Sequence, residues 1–431
     1  EGDGGEAALR TLLRGRGGLT AAEAAKRAAA SSWEVAARRS GSAAAKAKED
    51  QATAGFWPKL QGSGRYTRLS PLDPVFIAPG VPFPMFENNA VVTGTLSVPV
   101  SDYLLRLSRA LAGAERSTRA AIKEEEVARR KAAADARIAY YDWVRAKSQV
   151  LVTEVRLRAA QEQAKDVRRL FDAGFASKAD VLRAETQSTS LSLFVTRGRN
   201  GAAIAEEALR VAMHDEGTTP YEIGEDLLAT PPEVPGIDDE AALRKEAVAK
   251  RPELVVLGET EKALRDLEAL AKIARYPRLD LQGSVQYANP NQRVFPPRQD
   301  WDTTWDASVV LSWTPSDIPL ANANAREQAA RASELAARRE QLLDGIRLEV
   351  RQARNAVSES DSAITTSQQA LTAAEEGYRV RRELFRAGKA TLIEVLDAEA
   401  ELTRARLEVV NAVVEARIAR VRFEHAVGRD G

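Results

Sequence analysis

A fifteen-residue segment that occurs twice constrains this chain more than any other feature. The first copy runs Phe171-Asp-Ala-Gly-Phe-Ala-Ser-Lys-Ala-Asp-Val-Leu-Arg-Ala-Glu185, and the second runs Phe385-Arg-Ala-Gly-Lys-Ala-Thr-Leu-Ile-Glu-Val-Leu-Asp-Ala-Glu399. In each, a glycine (Gly174, Gly388) is followed three residues later by a hydroxyl residue (Ser177, Thr391) and then by a helix-forming run. That order is a helix C-cap, a tight turn and the N-cap of a returning helix. The chain is therefore predicted to build the same helical hairpin twice, and its 431 residues are a tandem duplication rather than two or three unrelated domains.

The arms of those hairpins are long. From Ser101 to Leu170 there is no proline and a single glycine, Gly113. About 70 residues at 1.5 Å each give a helix of about 100 Å, more than a compact core uses. A second such run spans about 320–385, interrupted only by Gly345 and Gly377. The returning helices are predicted over 178–213 and from the second tip to about Val427. In the last helix Val395, Leu402, Val409, Ala416 and Phe423 recur every seven residues, and Ala398, Ala405, Ala412, Ala419 and Ala426 follow three positions later. This is a coiled-coil seam whose alanines let helix axes approach closely. Taken alone, the helices fit a soluble antiparallel coiled coil equally well.

The remaining elements repeat in the same order. Residues 1–18 read as a flexible lead-in. The first repeat, 19–213, opens with a helix from Thr20 to about Gly55, with Glu23 at the capping-box position. Strands at 56–69 and 90–100 flank a Pro- and Gly-rich loop at 70–89. The long helix, the tip at 171–177 and the returning helix complete it. Residues 214–237 form an extended linker. The second repeat, 238–428, has strands at 277–288 and 302–314 and its tip at 385–391. The strands alternate: Val92, Gly94, Leu96, Val98 and Val100 share one face, as do Leu279, Leu281, Val285 and Tyr287, and then Trp305, Ala307, Val309, Leu311 and Trp313.

These strands decide between the readings. Four strands cannot close a barrel around a channel, which takes about eight even when side chains fill the interior. If their apolar faces meet lipid, several chains share one barrel. Trp57, Tyr66, Tyr276, Tyr287, Trp301, Trp305 and Trp313 stand in or beside the strands, where an interfacial girdle belongs. The competing reading is a soluble sheet with those aromatics buried.

Composition removes other classes. Lys+Arg and Asp+Glu are both 62, which gives no basic excess for nucleic acid. There is no cysteine, and two Met and two His argue against a soft-metal site on composition. His214 and His425 lie near helix ends without a nucleophile pattern beside them, so no catalysis, cofactor or metal is expected. No apolar run approaches a membrane-spanning helix, a statement that leaves a β-barrel open.

In the order helix, strand pair, long helix, tip and returning helix, in the Trp57-Pro-Lys-Leu and Tyr276-Pro-Arg-Leu strand starts, and in the Ala-Gly-x-Ala-Ser/Thr tips, the chain resembles the TolC-type outer-membrane efflux proteins over about 19–428. The resemblance implies a homotrimer with a twelve-stranded barrel in the outer membrane of a Gram-negative bacterium. A twelve-helix coiled-coil tunnel would continue it through the periplasm. It implies a passive exit duct for efflux or type I secretion that works with a periplasmic adaptor and an inner-membrane pump. The alternative is a soluble periplasmic coiled-coil scaffold or adaptor. By the same resemblance Glu394 and Asp397 match paired acids that form the narrowest gate, and Asp180 is the equivalent of Glu394 in the first tip. As helix-N-terminal acids they have a plainer explanation in the helix dipole. Ala173, Gly174, Phe175, Ala387, Gly388 and Lys389 match the adaptor-docking tips, and Val395, Ala398, Leu402, Ala405, Val409 and Ala412 belong to the seam. Two positions depart from the family: Phe385 replaces a tyrosine of the closing network and Ala390 a basic residue. Either other contacts close this channel or it rests partly open.

Overall fold

A computed structural model describes residues 11–15, 17–71, 76–82 and 85–430 of the chain. The backbone separates into two compact units, and each draws on both sequence repeats. One contains residues 1–39, 123–254 and 340–431, and the other 40–122 and 255–339.

The duplication is visible in element lengths. Helices α1 (Ala21–Ser31) and α2 (Trp33–Ala54) have 11 and 22 residues, as do their second-repeat counterparts α6 (Glu240–Lys250) and α7 (Pro252–Ile273). The single helix expected over 20–55 is therefore two. It breaks at Ser32, whose backbone turns extended (ψ 127). Serine hydroxyls compete for backbone groups, and Ser31 donates to the carbonyls of Arg27 and Met213 at 2.8 and 2.6 Å. In the second repeat Arg251 is the extended residue and Pro252 restarts the helix, since proline disfavours helix before it and suits a helix start. Only half of the expected capping box forms in the first repeat. The Thr20 hydroxyl accepts from the Glu23 amide at 3.1 Å, while the Glu23 carboxylate pairs with Arg27 at 2.9 Å.

The unit of 40–122 and 255–339 carries a four-stranded antiparallel sheet. Its strands are β1 (Lys59–Arg68), β4 (Asn88–Val98), β5 (Arg278–Asn289) and β6 (Asp302–Ser312), in the order β1-β4-β5-β6. A short pair, β2 (Phe76–Ala78) and β3 (Val81–Pro82), stands where only a loop was expected. β4 stops at Val98, two residues before the predicted end, and Val100 opens a short helix, α3 (Val100–Leu105). Pro99 has no amide to give to the ladder, so the strand ends there. Helix α4 (Leu107–Asp172) follows with 66 residues, and its counterpart α8 (Ile318–Arg386) has 69. The returning helices are α5 (Lys178–Met213) and α9 (Leu392–Val427), each of 36 residues.

The other unit holds the main cores. Tyr140, Tyr141, Trp143 and Val144 of α4 pack with Leu209 and Met213 of α5 and Val410, Val414 and Ile418 of α9. A second cluster joins Leu243, Ala247, Ile346, Val350 and Phe423. The expected flexible lead-in is corrected in its described part, because Leu13 is buried in the first cluster; residues 1–10 and 16 lie outside the described residues. Leu19 forms a parallel bridge with Ile223 of the linker. A Cβ on Gly18 would lie 2.1 Å from the Glu222 carbonyl, so that close approach requires glycine.

The linker over 214–237 carries few regular hydrogen bonds, and arginines satisfy its carbonyls. Arg417 donates to Ala229 at 2.8 Å, Arg420 to Pro232 at 2.9 Å, Arg429 to Pro235 at 3.0 Å and Arg354 to Ile237 at 2.8 Å. Of the two histidines, His214 closes α5 in the left-handed region (φ 51), and His425 sits 2.5 Å from Asp430, whose carboxylate raises its pKa.

Candidate functional site: the hairpin tips and the exposed sheet

Both tips lie in the same compact unit and repeat each other bond for bond. At the first, the amides of Ala173, Gly174 and Phe175 donate to the carbonyls of Arg169, Phe171 and Leu170 at 3.1, 2.9 and 2.8 Å. At the second, Ala387, Gly388 and Lys389 donate to Glu383, Phe385 and Leu384 at 3.0, 2.9 and 2.8 Å. This closure needs a left-handed residue, and Gly174 (φ 82) and Gly388 (φ 72) supply it. All six expected docking residues are exposed, Phe175 at 83%.

The returning helices start with unequal caps. Ser177 accepts from the Asp180 amide at 3.2 Å, and Asp180 Oδ2 accepts from the Ser177 amide at 3.2 Å and its hydroxyl at 2.6 Å. This complete capping box holds the Asp180 carboxyl below its ordinary pKa, the Ser177 hydroxyl contributing most. At the second tip Thr391 accepts from the Glu394 amide at 3.4 Å and donates to its carboxylate at 3.2 Å. Glu394 and Asp397 are exposed, one helical turn apart on α9. Asp180, half-buried, is used within its own tip.

An apolar cluster ties the tips together. Val167, Val181 and Ala184 of the first are buried against Leu392 of the second, with Phe171, Phe385 and Leu396 packed around them. Phe385 thus makes an apolar contact between tips. Of the six named seam residues Val395, Ala398, Leu402, Ala405 and Ala412 are buried and Val409 is half-buried, its neighbour Val410 taking the core position.

Glu399 is the residue that sequence reasoning missed. It is only 7% exposed, its Oε1 has no hydrogen-bond partner among the described residues, and burial pushes its carboxyl above the ordinary value of 4.5 against the opposing charge of Arg156. Its counterpart Glu185 is exposed and paired with Arg168 at 3.4 Å. Identity of residue type in the two copies concealed this difference.

The sheet register assigns two faces. On one lie Leu60, Val92, Leu96, Leu281, Val285 and Trp305, with Val309 and Leu311 beyond them. On the other lie Gln61, Thr93, Thr95, Gln282, Ser284 and Asp306. The apolar face is exposed, with Leu60 at 80% and Trp305 at 76%. The seven aromatics are exposed as well. Trp57, Tyr276 and Trp313 flank the end where β1 and β5 begin, while Tyr66, Tyr287 and Trp301 stand at the opposite end, the last two stacked at 4.7 Å. Two aromatic groups separated by strands of 10–12 residues fit the two interfaces of a bilayer. Among the described residues no helix is long and apolar enough to cross a membrane, and no three His, Cys, Asp or Glu side chains gather where they could hold a metal.

Two long helical hairpins, together with a four-stranded sheet whose exposed face suits lipid, define a tandem-duplicated protein of outer-membrane type. The model of the outer membrane efflux protein family matches residues 24–213 and 243–429, and the chain belongs to that family. It is an outer-membrane protein with the mainly helical, four-strand fold of that family. No curated protein matches. Among solved structures, the outer membrane protein VceC of Vibrio cholerae matches at TM-score 0.79 and 15% identity, over 94% of this chain and 95% of that one. The CmeC outer membrane channel of Campylobacter jejuni matches at TM-score 0.80 and 15% identity, over 97% and 91%. The MtrE outer membrane channel of Neisseria gonorrhoeae, solved in its open state, matches at TM-score 0.75 and 15% identity, over 95% and 88%.

Proposed function

We propose that three copies of this chain close a twelve-stranded barrel in the outer membrane and continue it as a helical tunnel through the periplasm. The assembly is a passive exit duct for efflux or type I secretion. The carrying observation is the sheet, whose exposed apolar face and two edge strands, each open on its outer side among the described residues, do not suit an isolated chain in water. Successive strands are antiparallel, so β6 of one copy runs opposite to β1 of the next and the ladder can continue around a ring. Two copies would give eight strands and an interior filled by side chains, whereas three give twelve and leave a lumen lined by the polar face. Native mass spectrometry of detergent-extracted protein should give three times the 46.9 kDa chain. A monomer that stays soluble without detergent would refute the assembly.

Glu394 and Asp397 supply the gate in this reading. In a trimer they form two stacked rings of three carboxylates, a cation-selective constriction. The tips receive a periplasmic adaptor, and the energy comes from an inner-membrane pump. Bulky residues in place of Gly174 and Gly388 should abolish efflux while trimers remain in the membrane; preserved efflux would count against docking at the tips.

A further inference from the structure

The two tips share one backbone and differ in how their charges are used. In the first, the three cations of the outgoing arm near the turn are neutralised locally, and the exposed cations without an ion pair among the described residues, Lys178 and Arg183, stand on the returning helix instead. Lys165 pairs with Glu162 at 2.7 Å, Arg169 with Asp166, and Arg168 with Asp172 at 3.9 Å and Glu185 at 3.4 Å. In the second, Arg379 takes both Glu376 and Glu383, at 2.6 and 2.9 Å. Glu375 faces Arg406 at 3.8 Å. That leaves Arg381, Arg386 and Lys389 exposed, with no ion pair among the described residues. The matched positions of the first tip sharpen the contrast: Asp172 stands for Arg386, and Phe175 for Lys389. Exposed Val380 and Leu384 flank the free cations. Arginine beside apolar side chains suits a protein partner, and unpaired cations on the last turns of α8 and the turn after it attract and orient carboxylates without the cost of breaking an existing pair.

We infer that the tips form a two-part docking surface: the second tip seats an acidic protein segment through Arg381, Arg386 and Lys389, and the first seats an apolar one through Phe175. This rests on the tip-docking reading above and adds the chemistry of the partner.

The test places a photo-crosslinking residue at Ala173 and, separately, at Ala387 of the full chain in cells carrying the complete efflux system. These exposed positions match in the two tips and leave every charge in place. The segment captured at Ala387 should carry at least two Asp or Glu within about one helical turn, and the one at Ala173 should be apolar. Together, R381E, R386E and K389E should lower efflux by about tenfold with trimer mass unchanged, and Lys in place of the captured acids should restore it. Capture at both sites with no acid near Ala387, or full efflux in the triple variant, would overturn the inference and leave tip docking intact. Capture of another copy of this chain or of lipid at Ala387 would also overturn it. If neither site captured a partner, the docking reading would fall as well.

Discussion

Glu185 and Glu399 occupy one position in two copies of one motif, yet only Glu399 is buried, with an unpartnered oxygen. Burial raises its pKa above 4.5, so over the window between that value and the raised one the native state holds a proton that the unfolded state has released. Stability therefore falls as pH rises through that window, and below it the group makes no difference. Glu399→Gln removes the titration, so its thermal midpoint should match wild type near about pH 4.5 and exceed it near about pH 8. A pH-independent difference would contradict this. Ser177→Ala should cost about 1 kcal/mol in denaturant unfolding, because the capping box is lost; Thr391→Ala should cost less, since its bond to the Glu394 amide is longer, at 3.4 Å. The caps themselves were legible, because Gly-x-x-Ser/Thr carries its own geometry. The burial of Glu399 was not, because it depends on which neighbours α4 and α8 bring across, and no local pattern encodes that.

Among the elements, α9 changes character along its length. Near the tip it buries a single stripe through Val395, Ala398 and Leu402. Further on, Val410, Ala412, Val413, Val414, Ala416, Ile418, Ala419 and Val421 are all buried, as in a helix surrounded by neighbours. Phe423→Ala, at a fully buried site, should destabilise by about 3–5 kcal/mol, and Ala419→Leu by about 1–3 kcal/mol through overpacking; both are read from denaturant midpoints, and a cost near zero would remove the close approach. The heptad spacing was legible, whereas encirclement by extra neighbours was not, which is why Val410 rather than Val409 reaches the core. Period-two alternation in the strands was likewise readable and places Leu60, Leu96, Leu281 and Val309 on one face. The break at Ser32 escaped because two serines in an alanine-rich run carry a weak signal, whereas Pro252 announces its counterpart. The capture of linker carbonyls by Arg417, Arg420 and Arg429 also depends on tertiary placement, since an exposed and a bridging arginine look the same in a sequence.

For the whole molecule, duplication accounts for two hairpins, paired helices of equal or nearly equal length and four alternating strands, and the family match covers both repeats. Each compact unit draws on both halves of the chain; the first core joins α4 and α5 to α9 across the repeats, whereas the second is built within the second repeat. The gate is the proposal on which the duct reading turns, because Glu394 and Asp397 are exposed acids whose role depends on facing two further copies. Single-channel recording of the purified protein in a planar bilayer, under a salt gradient, tests it most directly. Wild type should give unitary steps with a cation-selective reversal potential, and the double variant Glu394→Ala with Asp397→Ala should move that potential toward zero. Absence of unitary steps, or a reversal potential unchanged in the double variant, would contradict the account.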